Sequence, residues 1–487
     1  MLDQFTLAAG FGRTRPLPRT ITMTEFQRRF RLAALPASVP ALVVAVLLAG
    51  AAPFPAHGQA FDQGRVIDRP PAVLEPRERP AVENAIVADR LANLLPELMT
   101  ETDIDLWLVL NREYAEDPVY FTLVPQPSFA ARRTTMLLFH RQDDGRVEPM
   151  TVNRYPLGEP YESKWSGGDL DEQWTALGTL IGELDPERIG INVSSTWPEA
   201  DGLTHGLHRK LQAALPEGFE DRLVSAEQLV VRWFETRTAE EKDLYAHVVG
   251  LARGVIAEAF SNRVITPGVT TTADVAWYIR ERFEGLGLPI WFMPYVNVQR
   301  PGQDCTADTP FCGVEGVIER GDVLHTDVGI CYLKLCTDTQ EMGYVLRFGE
   351  AAVPQDLVDA LAEGNRWQDL LTAEFKVGRT GNEVLAAAQA AMQDQPWGFN
   401  VYTHPIGFVG HGPGATIGMW DQPGSIPETG DWPVFADTGF SIEGNIAVPL
   451  ERWDGQHVQI KLEQTSVFDG ERVIYVAGRQ TEWHVVR

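Results

Sequence analysis

The sequence predicts an α/β domain followed by an α+β domain. Three observations carry that prediction. Once a leader-like start is set aside, 427 of the 487 residues remain, too many for one ordinary core. Between about residues 78 and 215, helical and strand-like stretches alternate, the pattern of an α/β layer structure. Beyond about 237, strand-like runs carry single acids among apolar residues, with amphipathic helices between them.

Residues 1–60 read as an export signal outside the fold. Arg28, Arg29 and Arg31 form a basic region, and an apolar run over 32–50 follows, broken by Pro36 and Pro40. Small residues Gly58 and Ala60 then suit a signal peptidase. Met23 stands just before this pattern, so translation starting there would leave out the first 22 residues. The mature chain is expected to be exported, periplasmic or secreted, with no stable membrane insertion after signal removal. It would carry 35 basic and 65 acidic residues, a net charge of −30. That balance excludes nucleic acid and anionic membrane as favoured partners.

The first domain is expected over 61–236. Ile86, Leu91, Leu94, Leu95 and Leu98 recur at three- and four-residue steps and predict a helix over 78–101. Short apolar runs at 106–110, 135–139 and 188–193 predict strands. Amphipathic stretches predict helices over 172–183 and 199–215. His205 and His208 fall on the second of these and read as a solvated face.

The second domain is expected over 237–487. Thr238 and Glu241 form a capping box that opens a long helix. A turn at Pro267–Gly268 precedes another helix, stopped by Gly285 and Gly287. Helices are predicted near 355–362 and 383–392. Between these helices, GDVLHTDVGICYLKLCTDTQ over 321–340 reads as a hairpin with one aspartate on each strand, Asp327 and Asp338. A hairpin centred between Tyr332 and Leu333 would oppose them directly, with Cβ atoms about 4.5–5.5 Å apart. Two carboxylates so close repel, and a divalent cation removes the conflict. Three more residues join them. His411 sits among glycines in VGHGPG, Glu443 lies on FSIEGNIAV, and Glu463 lies on HVQIKLEQT. An acid in the middle of an apolar strand needs a partner.

The ordered set Asp327, Asp338, His411, Glu443 and Glu463 resembles the pita-bread metallopeptidases. These include Xaa-Pro aminopeptidase, prolidase, methionine aminopeptidase and creatinase. GDVLHTDVG, the GHGxG around His411, TAEEKDLY and the TPGVT turn add to the resemblance, which spans nearly all of 78–487. It implies a creatinase-like amino-terminal α/β domain and a pita-bread α+β catalytic domain. It implies two divalent ions (Mn²⁺, Co²⁺ or Zn²⁺), a peptide substrate, and homodimers as in many relatives. Asp327 would bind one ion and His411 the other, with Asp338 and Glu463 bridging. Glu443 would bind the second ion and handle the proton of the attacking water.

The sequence also departs from that pattern. Relatives that cut peptides carry a histidine upstream of the aspartates, whereas 292–319 has none. A second family histidine has Trp420 and Asp421 in its place, and Glu443 is followed by Gly444 rather than proline. His404, seven residues before His411, is the residue that could replace the missing substrate contact. Trp420 reads either as an apolar wall for a proline ring or as core. The function expected is an exported dinuclear Xaa-Pro aminopeptidase or prolidase-like peptidase. The alternatives are a non-peptide amide hydrolase on the same scaffold and a metal-binding protein without catalysis.

All four cysteines fall between Cys305 and Cys336. An even count in an oxidising compartment permits three connectivities. Local pairs, Cys305–Cys312 and Cys331–Cys336, are preferred, because the spacings fit no thiolate zinc site.

Overall fold

The computed structural model describes residues 72–309 and 312–487. The expected export signal over 1–60 lies outside the described residues.

The amino-terminal domain starts with α1 (Arg79–Asp89), which runs through a π turn at Arg90–Leu94 into α2 (Leu95–Glu101). Its leucines at helical spacing, Leu91, Leu94, Leu95 and Leu98, are all buried. There follow β1 (Leu106–Arg112), β2 (Thr134–Arg141), β3 (Val147–Asn153), β4 (Glu162–Ser163), α3 (Leu170–Leu184), β5 (Ile189–Ile191), α4 (His205–Ala214), β6 (Leu223–Ser225) and α5 (Glu227–Glu235). The strands form one mixed sheet in the order β4-β3-β2-β1-β5-β6. Apolar residues line both of its faces, as a covered sheet requires. The predicted 199–215 helix starts late. A 3-10 turn at Pro198–Ala200 and the Asp201–Gly202 step precede it, and Gly202 has no room for a side chain beside the Asp117 carboxyl.

The carboxy-terminal domain opens with α6 (Ala239–Ala259) and α7 (Thr272–Gly285). Thr238 and Thr271 cap them through capping boxes. Then come β7 (Tyr295–Gln299), β8 (Val323–Val328), β9 (Cys331–Tyr332), β10 (Leu335–Cys336), β11 (Thr339–Val345), α8 (Gln355–Thr372), α9 (Gly381–Met392), β12 (Gly398–Val401), β13 (His404–Pro405), β14 (Thr438–Pro449), β15 (His457–Phe468), β16 (Val473–Tyr475) and β17 (His484–Val486). The sheet path is β12-β14-β15-β11-β8-β7, with β13 on β14, β16 on β15 and β17 on β11.

Strand alternation assigns the two faces of this sheet. Ile442, Ile446, Ile460 and Leu462 point to one side and pack with Leu361, Trp367 and Leu371 of α8 and Leu385 of α9. Burying each such side chain contributes roughly 1.5–3 kcal/mol. The intervening residues Glu443, Lys461 and Glu463 point to the other side, away from the helices. The apolar layer therefore fixes the acids on the opposite face.

The two disulfides join Cys305 to Cys312 and Cys331 to Cys336, the pairs preferred from the sequence. Cys331 and Cys336 are directly opposed on β9 and β10. The turn between these strands is Leu333–Lys334, with φ of 53° and 63°. Positive φ at both central residues matches the right-handed twist of the flanking strands. This turn lies one residue later than expected. Asp327 consequently faces Gln340, and Asp338 lies one step along the sheet.

Candidate metal centre

Strand pairing builds the site as a row across this face of the sheet. Asp327 on β8 is in register with Gln340 on β11, Gln340 with Glu463 on β15, and Glu463 with Glu443 on β14. His404 on β13 pairs with Ser441, two residues before Glu443. Asp338 sits just before β11, and its N–H donates to the Thr465 hydroxyl (3.2 Å). Each acid thus stands on a paired strand or directly beside one, and the sheet leaves its backbone little freedom.

These side chains form three overlapping groups, each with ligand atoms within 4.8 Å of one another. One is Asp327, Asp338 and Glu463; another is His404, Glu443 and Glu463; the third is Asp338, His404 and His411. Glu463 and Asp338 each belong to two groups. The register shift does not separate Asp327 from Asp338, because residues two apart on a strand share a face.

His404 lies at the centre. Its Nε2 is 3.8 Å from Asp338 Oδ2, 3.7 Å from Glu443 Oε2 and 3.6 Å from Glu463 Oε1. Its Nδ1 lies 3.0 Å from the Pro405 carbonyl. A carbonyl only accepts, so Nδ1 carries a proton, and Nε2 is the ring atom turned toward the acids. His411 stands further out. It is exposed, and its ring centroid is 4.7 Å from that of His404. The sequence pattern put His411 among the ligands and His404 toward substrate; these distances favour the reverse order. The cause is local: His404 is on a strand paired with β14, while His411 belongs to the loop beyond it.

Electrostatics mark the same place. Burial, then the charge of Glu463, holds the carboxyls of Asp327 and Glu443 well above the usual range. Asp338 is raised by burial and by Glu463, Asp327 and Glu443. His411 reaches solvent, yet the protein packed around its ring and the neighbouring His404 push it down to about 4. The buried atoms Asp327 Oδ1, Asp338 Oδ1 and His404 Nε2 lack hydrogen-bond partners. Four carboxylates and an imidazole with free lone pairs are the donor set of a divalent cation site. The residues fit a metal.

Other features were less legible in the sequence. Gln340 donates to Glu443 Oε1 (2.5 Å) and Glu463 Oε2 (2.9 Å). Ser441 Oγ donates to Glu463 Oε1 (2.6 Å). Trp291 packs its ring edge-on to His411, with centroids 5.0 Å apart, and donates Nε1–H to the Thr337 carbonyl. Gly444 replaces the proline of relatives where Trp367 and the Asn400 carbonyl press within 2.2 and 2.5 Å of any added Cβ. The stretch without histidine holds β7 and the Cys305–Cys312 disulfide, and the Cys312 carbonyl accepts from Lys461 Nζ (3.0 Å). Trp420 is 49 % exposed, so it is not core.

Residues 243–468, which contain every one of these groups, match the sequence profile of metallopeptidase family M24. The carboxy-terminal domain belongs to this family. No curated protein matches the chain. Among solved structures, the chain resembles the X-Pro aminopeptidase from Thermotoga maritima at 18 % identity and a TM-score of 0.57, covering 80 % of this chain and 100 % of that one. Dipeptidase PepE from Mycobacterium ulcerans is 20 % identical with a TM-score of 0.53, covering 82 % and 98 %. The amino-terminal domain of FACT complex subunit SPT16 from Eremothecium gossypii is 10 % identical with a TM-score of 0.53, covering 81 % and 96 %. At these identities the likeness shows the fold, creatinase-like amino-terminal domain and pita-bread M24 domain together. The activity has to be argued from the site.

Proposed function

We propose that this protein is an exported M24 peptidase that uses two divalent ions to remove an amino-terminal residue, with Xaa-Pro peptides or dipeptides as substrates. The observation that carries this reading is the sharing of Glu463 between an aspartate group and a histidine–glutamate group. A shared carboxylate between two ligand sets is what a pair of neighbouring ions needs.

In this reading Asp327 would hold one ion, and His404 and Glu443 the other, with Asp338 and Glu463 shared between the two. When bound, such a pair supplies an acidified water and polarises the carbonyl under attack. The chain supplies the rest. Glu443, whose Oε2 faces His404, accepts the proton of the nucleophile and returns it to the leaving amine. His411, neutral at pH 7, donates a hydrogen bond to the substrate carbonyl at the mouth. Trp291 fixes the His411 ring edge-on and narrows the access of water. The oxygen-rich set suits Mn²⁺ or Co²⁺ as well as Zn²⁺. Two disulfides and the basic-then-apolar leader support export. A homodimer is the assembly we expect.

A second reading, hydrolysis of a non-peptide amide, draws support from the disulfide loop that stands where relatives carry a substrate histidine. The deciding experiment is elemental analysis of the purified protein joined to assays on Xaa-Pro peptides and a panel of other amides with Mn²⁺, Co²⁺ or Zn²⁺. Wild type should hold two ions and cut Xaa-Pro peptides, and D338N and E463Q should lose both properties. Undiminished turnover in those variants would place the chemistry elsewhere. Turnover of amides only would favour the second reading.

A further inference from the structure

Gln340 holds the middle of the ligand row and belongs to none of the three ligand groups. It is buried on β11, with Asp327 in register on one side and Glu463 on the other. Its surroundings define its orientation. A glutamine amide has one accepting oxygen and one NH₂ group. Glu443 Oε1 and Glu463 Oε2 lie 2.5 and 2.9 Å from the amide nitrogen, and as ligands of a cation both carboxyls would be ionised and only accept. The NH₂ must therefore face the two acids. Oε1 then faces His325 Nε2 at 2.8 Å, so His325 must carry its proton on Nε2 and donate. The Gln340 backbone is held as well: its carbonyl accepts from Gln464 Nε2 (3.3 Å), and Gln464 Oε1 accepts from Gln368 Nε2 (2.6 Å).

The bonds single out one oxygen on each glutamate. Glu443 Oε1 and Glu463 Oε2 receive the amide hydrogens, while Glu443 Oε2 and Glu463 Oε1 lie 3.7 and 3.6 Å from His404 Nε2. The two oxygens of a carboxylate are held in one plane, so a donor on one fixes where the other points. Substitutes do this less well. A leucine would leave Glu443 without this donor and Glu463 held by Ser441 Oγ alone. A glutamate would add another negative charge to a crowded row. An asparagine would fall short of spanning both acids.

We propose that Gln340, oriented by His325, is a positioning residue of the metal centre: its amide locks Glu443 and Glu463 in the rotamers that turn their free lone pairs toward His404. This rests on the metal reading given above. Partners behind metal ligands commonly govern affinity by 10- to 100-fold.

The test is titration of the full-length, metal-stripped protein with Mn²⁺ by calorimetry and with Co²⁺ by visible absorption, for wild type, Q340L and Q340N. Both variants are expected to bind Mn²⁺ at least about 10-fold more weakly and to shift the Co²⁺ absorption bands. A purely structural role would lower the melting temperature and leave the affinity and the bands unchanged, which would overturn the proposal. Should Q340L fail to fold, Q340N decides alone, since it keeps an amide on the same strand but sets it one methylene short of the acids. A wild-type protein that takes up neither ion would remove the metal reading and this inference with it. Tight wild-type binding matched by both variants would remove only the inference.

Discussion

In the proposed reading, His404 and His411 divide one task between two imidazoles, and their surroundings set the division. His404 Nε2 faces three carboxylates, and its Nδ1 proton points to the Pro405 carbonyl. His411 is exposed and pushed down to about 4. The two substitutions should therefore separate cleanly. H404A is expected to lose at least about 100-fold in affinity for Mn²⁺, as for removal of a direct ligand. H411A should bind Mn²⁺ as wild type does and lose about 10²–10³ in kcat, the usual cost of removing one donor to a developing oxyanion. Calorimetry and kinetics on the same preparations check both; the opposite pattern would restore His411 as the ligand. The identities of the acids were legible because an isolated carboxylate in an apolar strand is costly unless paired. The histidine order was not. Both imidazoles lie close to glycines in the sequence, and only the pairing of β13 with β14 tells them apart.

The hairpin β9–β10 shows the same limit at the scale of an element. Its existence and its two acids could be read from the alternating sequence. Its register could not, because Leu333 and Lys334 are not residues that announce positive φ. The Cys331–Cys336 bridge fastens that turn, and Cys336 N–H also donates to the Gly407 carbonyl in the histidine loop. Closing so short a loop contributes about 2 kcal/mol in the chain-entropy picture. C331S/C336S should unfold at lower denaturant by about that amount. Equal stability would mean that the turn alone holds the register. The helices were predicted well at their starts, where Thr238 and Thr271 cap through side chains. α8 runs ten residues beyond the predicted end, to Thr372. Its buried polar residues Asn365 and Gln368 interrupt the apolar pattern, and their partners, Gln480 and Gln464, are distant in sequence.

At the scale of the molecule, the two domains meet over buried charge. Glu235, at the end of α5, is 1 % exposed. Its Oε1 accepts from Arg232 (2.8 Å) and Trp432 (3.3 Å). Its Oε2 has no hydrogen-bond partner and lies 2.5 Å from any Cβ added at Gly414, where φ is +136°. Burial outweighs Arg232 and pushes this carboxyl from 4.5 up to about 7. The folded state therefore holds a proton that the unfolded chain releases. Stability from this group is full below about pH 4.5 and is lost as pH rises through about 7. The change amounts to about 3 kcal/mol. E235Q should remove that dependence, so the variant should gain on wild type by about 3 kcal/mol between pH 4 and pH 8 in denaturant melts. A constant difference would contradict the assignment.

Arg90 and Arg237 share Glu241 nearby, at 2.7 and 3.3 Å. Their guanidinium carbons stand 4.6 and 4.8 Å from the ring centre of Phe408, which also stacks on Trp233. Phe408 lies between the two histidines of the centre, so the loop that aims them is pegged into a socket furnished partly by the first domain. A chain trimmed to its second domain would keep every ligand and lose the peg's seat. The first domain is thus a mould for the catalytic loop, and any shortened form of this protein must find another way to cast it.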